Sequence, residues 1–103
     1  MICLGIESTA HTFGVGIVSD EKGKCSILAN EKHSVSTEHG GLIPRELAKH
    51  HYEYAVPVLK SALTQAKVKL KDVDVIAFSQ GPGMGPALSV GAVLARTLAL
   101  KHK

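Results

Sequence analysis

Apolar residues follow two periodicities along the chain: short alternating or continuous runs near the start and around residue 75, and a three-to-four spacing after residues 44 and 85. Ile2 to Ile6 is a short apolar run closed by Glu7-Ser8-Thr9-Ala10-His11-Thr12, a small polar stretch that predicts a turn out of a buried strand. Phe13 to Val18 resumes as a second strand. There Phe13, Val15 and Ile17 alternate with Gly14 and Gly16, which puts bulk on one face and bare backbone on the other. Asp20 to Lys24 reads as a hairpin turn and Cys25 to Val35 as a third strand, so the chain opens with an antiparallel meander.

Ser36 to Leu42, with Gly40-Gly41, reads as a flexible connection before Pro44, a residue suited to the first helical position because its missing N–H has no partner there anyway. The helix is expected to reach Ala66. Leu47, His51, Ala55, Val58, Ala62 and Ala66 form one apolar stripe, widened by Leu59 and Leu63, and Pro57 predicts a kink. Asp72 to Ser79 is continuously apolar through Val75-Ile76-Ala77-Phe78, which predicts a central strand buried on both faces beside a parallel neighbour. Gly81 to Gly85 then turns into a second helix, Pro86 to about Leu100. The predicted order is β-β-β-α-β-α.

Composition narrows this further. With 103 residues, 45% of them hydrophobic, the chain can bury one modest core and is read as a single domain. Aromatic residues make up only 4%, so aliphatic side chains must fill that core. The formal net charge of +3 permits an anionic partner, but the basic residues are spread without a dense cluster. Cys3 and Cys25 lie in strand-like stretches and are expected to be reduced, buried thiols. No apolar run approaches the roughly 18 residues of a membrane span, and the first residues lack a charged lead-in to a secretory core. A cytoplasmic protein with no membrane contact is expected.

Two loops have the composition for ligand chemistry. Glu7-Ser8-Thr9 and Gly81 to Gly85 both follow strands expected to be adjacent and parallel, so both open at the carboxyl edge of the sheet, where ligands bind in open α/β folds. Ser8 and Thr9 offer hydroxyl donors to phosphate oxygens. Gly81, Gly83 and Gly85 precede a helix whose N–H groups and dipole favour an anion, although Gly-Pro-Gly before a helix is also a plain turn. The spacing fits neither the dinucleotide G-x-G-x-x-G pattern nor the P-loop, which argues against both of those nucleotide sites. Glu7 ends an apolar strand and is the candidate catalytic carboxylate, as a base or as a partner that orients a metal's ligands, against the alternative of a solvated strand end.

Six histidines raise the question of a metal. His50 and His51 are adjacent, and neighbouring helical positions diverge by about 100°, so the pair does not face one ion. His51 falls on the apolar stripe and reads as a satisfied core histidine. His11, His33, His39 and His102 show no ligand spacing, so no metal is expected on this chain alone.

Four blocks together resemble the TsaD-type tRNA threonylcarbamoyladenosine transferases, most closely the archaeal and eukaryotic branch of the KEOPS complex. They are Leu4-Gly5-Ile6-Glu7-Ser8-Thr9-Ala10, Gly14 to Val18, Gly41-Leu42-Ile43-Pro44-Arg45-Glu46-Leu47-Ala48-Lys49-His50-His51, and Ile76-Ala77-Phe78-Ser79-Gln80-Gly81-Pro82-Gly83-Met84-Gly85-Pro86. The resemblance implies a ribonuclease H-like, actin-like ATPase lobe with a mixed sheet. The chain is then the N-terminal portion of the first lobe, lacking the fifth strand, the metal-binding histidine motif and the second lobe. The family moves a threonylcarbamoyl group from threonylcarbamoyl-adenylate to the tRNA adenosine beside the anticodon. The full-length family uses a divalent metal, iron or zinc, and binds ATP or threonylcarbamoyl-adenylate, whereas no cofactor is expected for this chain alone.

By the same resemblance, Glu7, Ser8 and Thr9 line the phosphate side of the cleft and Gly81 to Gly85 close its floor. Expected partners are KEOPS-type subunits, including a small subunit on the surface of helices 44–66 and 86–100, with tRNA engaged through the full complex. A homodimer through an uncovered strand edge is a further expectation. Two departures bear on anion binding: Ser89 stands where the family commonly has a basic residue, and His11 where it commonly has an acidic one. A chain inactive alone is expected, and the other readings are a non-catalytic interaction module or a relative of the TsaB partner.

Overall fold

In the computed structural model, which describes residues 1–36, 41 and 43–102, strand β1 (Ile2–Glu7) sits inside a four-stranded sheet of order β3-β2-β1-β4. β1 pairs antiparallel with β2 (Thr12–Ser19) and parallel with β4 (Val75–Phe78), so that Ile6 stands opposite Val15 on one side and Phe78 on the other. β2 continues antiparallel to β3 (Ser26–Ser34), with a register shift at Ile17/Val18. The expected meander is therefore present, its second hairpin, from β2 to β3, closed by a 3-10 turn at Glu21–Gly23. Most of the predicted connection Ser36 to Leu42 lies outside the described residues.

Helix α1 (Pro44–Ala66) packs on β2 and β3, and α2 (Gly85–Lys101) on β4 and β1, with the two helices in contact. Pro44 occupies the first turn as expected, and α1 is continuous through Pro57. The predicted stripe is the buried face: Leu47, His51, Ala55, Val58 and Ala62 are buried with Leu59, while Leu63 and Ala66 are half-buried. In α2 the residues against the sheet are Ala87, Gly91, Ala95 and Leu98. The small residues Ala87, Gly91 and Ala95 let the helix approach closely, while Val93 and Leu100 are exposed.

The core joins Leu4 and Ile6 of β1 and Phe13, Val15 and Ile17 of β2 to the alanines and leucines of the two helices. Leu4, Phe13 and Ile17 are fully buried, each contributing about 1.5–3 kcal/mol through removal from water.

Two expectations are corrected. β4 is an edge strand rather than the central one: β1 takes the interior place because it alone pairs with both β2 and β4, and Val75 and Ala77 are exposed. The thiols are free but not buried, since Cys3 is half-buried on the open side of the sheet and Cys25 precedes β3 in exposed chain.

Candidate functional site

Because β1 and β4 run parallel in register, their carboxyl ends emerge together, and the two predicted loops meet there. The Ser79 N–H donates to the Ile6 carbonyl at 2.9 Å, and the Ser8 N–H to Ser79 Oγ at 3.1 Å. The next three carbonyls each accept from a different element. Thr9 receives the Met84 N–H ahead of α2, Ala10 receives His51 Nε2 of α1, and His11 receives the Val35 N–H after β3, all at 2.8 Å. The β1–β2 loop is thus the junction of both helices with the sheet.

Glu7 is exposed at the end of β1, and its Oε1 accepts the Thr9 N–H. It lines a furrow of about 360 Å³ on the open sheet face, beside Gly5, Gly14, Lys32 and Ser79. Thr9 packs directly on Gly83, where a Cβ would lie 2.6 Å from the Thr9 carbonyl oxygen; only glycine permits the two loops to come this close. Gly81 has φ +156°, and its peptide bond to Pro82 is cis. Gly85 opens α2 with nothing within 4 Å of its Cβ position, and α2 has no side-chain cap. The α2 N-terminus therefore faces open space with the dipole polarity that suits an anion.

Ser8 departs from its predicted placement. Its side chain is 0% exposed, and its Oγ is buried without a hydrogen-bond partner against the bare backbone of Gly91 in α2. In this arrangement the hydroxyl points to the helix, so Ser8 offers the edge its backbone and not a phosphate-binding donor. The two departures from the family pattern also find places here. Ser89 Oγ donates back to the Gly85 carbonyl at 3.0 Å, and His11 is exposed on the loop.

His51 is the satisfied core histidine that its position on the stripe predicts: it is 0% exposed and bonded to Ala10 O. Sequence reasoning missed its neighbours. His50 Nδ1 lies 2.9 Å from His51 Nδ1, and His33 Nδ1 of β3 lies 2.8 Å from His50 Nε2, with His33 stacked at 3.7 Å on Tyr54. The available signal was parity, because His33 pairs with Phe13 in the ladder and shares the helix-facing side with Ala29. Burial holds both His50 and His51 below the ordinary imidazole range, with the neighbouring imidazoles adding to it at His50 and the Ala10 carbonyl and Glu7 opposing it at His51.

These nitrogens are engaged with one another and with a carbonyl, and among the described residues no group of three or more His, Cys, Asp or Glu side chains is arranged to hold a metal. The donor set on these residues does not fit a metal centre.

A family model described as "TsaD: tRNA N6-adenosine threonylcarbamoyltransferase" matches residues 26–103. The chain belongs to this family. The TsaD protein of Thermococcus sibiricus is 58% identical over 102 residues, covering 99% of this chain and 30% of the relative, and that of Sulfurisphaera tokodaii is 53% identical with the same coverage. The chain thus spans about 30% of the length of the curated TsaD relatives it matches. Among solved structures, YeaZ from Pseudomonas aeruginosa superposes with a TM-score of 0.72 at 19% identity, covering 98% of this chain and 39% of that one. RuvC from Thermus thermophilus gives 0.60 at 20% identity, covering 96% and 57%. At those identities the likeness speaks to fold, and the fold is the ribonuclease H-like, actin-like ATPase lobe. No helix among the described residues is long and apolar enough to cross a membrane.

Proposed function

We propose that this chain supplies the first-lobe wall of a cytoplasmic transferase that moves a threonylcarbamoyl group from threonylcarbamoyl-adenylate to the tRNA adenosine next to the anticodon, and that it is inactive alone. The observation that carries the reading is the joining of the Glu7–Thr9 and Gly81–Gly85 loops at one sheet edge, in a chain 58% identical to a named transferase. In this reading the α2 N-terminus and Thr9 receive the phosphate side of ATP or the adenylate. Glu7 stands at the rim as the carboxylate that acts on the reacting groups or orients what binds them. The metal of the full-length family belongs to residues outside this chain.

The test is a fusion of residues 1–103 to the remaining part of the Thermococcus sibiricus relative, assayed with threonylcarbamoyl-adenylate and tRNA. Transfer by the fusion and none by the chain alone supports the reading. A folded fusion that transfers nothing contradicts it.

A second reading, as an interaction module, has its own support. Tyr52 at 79% and Val93 at 63% exposure flank an apolar groove of about 350 Å³ between α1 and α2, floored by Ala55, Val90 and Leu94. This is the surface on which a small KEOPS-type subunit is expected to dock, with tRNA reached through the assembled complex.

A further inference from the structure

The three hydrogen-bonded imidazoles outside the ligand edge connect solvent to the loop that builds it. A carbonyl oxygen only accepts, so the 2.8 Å contact with Ala10 O requires the proton on His51 Nε2. Neutral His51 then has a bare Nδ1, which must accept from His50 Nδ1–H. His50 in turn has a bare Nε2, which must accept from His33 Nδ1–H. One backbone carbonyl therefore sets the tautomer of all three rings, and the chain ends at His33 Nε2 in exposed β3. His50 and His33 are both held in the Nδ1–H form, the one a free histidine side chain disfavours.

Resting on the reading of this edge as a ligand site, we propose that His33–His50–His51 is a proton-responsive strut that holds the β1–β2 loop in its binding geometry. His51 is a positioning residue acting through Ala10, and His50 and His33 keep its buried Nδ1 satisfied. A proton added at His50 Nε2 or His51 Nδ1 sets two N–H groups against each other and breaks an imidazole contact; His51 Nε2–H can still donate to Ala10, but its ring loses the partner that fixes its orientation, and the loop loosens. The titratable and charged groups around the strut are Glu53 and Tyr54 of α1 beside His50, and Glu7 of β1 and His11 of the loop near His51.

The test is long-range proton–nitrogen NMR of the imidazoles in the ¹⁵N-labelled chain, with amide hydrogen exchange at Ser8, Thr9, Val35 and Met84, which read the loop's bonds. At pH above the histidine range, His51 is expected as Nε2–H, and His50 and His33 as Nδ1–H. On acidification the signals of His50 and His51 are expected to change together with the loop amides. His33→Phe keeps the stack on Tyr54 at an exposed site and is expected to leave His50 as Nδ1–H, because the bare His51 Nδ1 still requires that donor. His50→Phe strands His51 Nδ1 and is expected to speed exchange at the four amides by about tenfold, as loss of a buried partner does. Free tautomer mixtures, unconnected responses of His50 and His51, a His50 that turns to Nε2–H in His33→Phe, or unchanged loop exchange in His50→Phe would overturn the strut. Neither readout uses ligand, so an inactive fusion protein removes the transferase reading and leaves this result standing.

Discussion

Gly83 sits so close to Thr9 that a Cβ at position 83 would stand 2.6 Å from the Thr9 carbonyl oxygen and 3.0 Å from its Cα. Since the obstacle is backbone, it cannot rotate away, and Gly83→Ala must separate the two loops and strain the Met84-to-Thr9 hydrogen bond. The expected cost is about 1–3 kcal/mol, as for other overpacked sites. A urea midpoint equal to that of the unmodified chain would show that the loops are not locked together.

The buried Ser8 hydroxyl gives an opposite expectation. Its Oγ has no partner, so Ser8→Ala removes an unsatisfied polar atom, and the stability is expected to stay level or rise by about 1 kcal/mol. Denaturant unfolding checks this. A loss comparable to that of Gly83→Ala would mean that the hydroxyl is bonded, and the arrangement against Gly91 would be wrong.

The stability of the chain is expected to depend on pH through His50 and His51. Both are held below the ordinary histidine value of 6.5, so beneath that pH the unfolded chain binds more protons than the folded one. Their contribution is complete above 6.5, declines as the pH falls through 6.5, and continues to decline until the folded-state values are passed. Unfolding midpoints at pH 7.5 and 5.5, compared between the unmodified chain and His50→Phe, read this directly: the variant should show the shallower dependence. Equal slopes would contradict it.

The apolar groove permits a separation of docking from folding. Tyr52 and Val93 are exposed, so Tyr52→Glu and Val93→Glu are expected to change stability by no more than about 0.5 kcal/mol each. Both are expected to abolish capture of a small KEOPS-type subunit. In parallel, sedimentation at rising concentration tests whether the β4 edge, paired only with β1 among the described residues, recruits a second copy. A monomer at every concentration would remove the homodimer.

Much of this arrangement was legible from periodicity. The alternation at Phe13, Val15 and Ile17 gave the buried face of β2, and the stripe from Leu47 to Ala62 gave the buried face of α1, because both depend on spacing within one element. The place of β4 in the sheet was not legible. A four-residue apolar run carries no record of how many neighbours it has, and pairing with β1 alone left it at the edge. Ser8 illustrates the same limit at the site. A serine in a polar turn reads as a ligand donor, yet its direction was decided by the missing side chain at Gly91, far along the chain. The imidazole chain escaped notice because His33 and His50 sit on a strand and a helix that spacing alone does not bring together.

The central claim, that the meeting of the two loops forms a wall of the adenylate site, is tested most directly at Gly85. A Cβ there meets no atom of another element within 4 Å, so Gly85→Val is expected to leave the unfolding midpoint nearly unchanged. In the fusion with the Thermococcus sibiricus relative, calorimetric titration with ATP should then show affinity reduced by about tenfold or more, roughly 1.4 kcal/mol, because the new side chain fills the space at the helix terminus. An equally stable variant that binds ATP as tightly as its parent would place the ligand elsewhere.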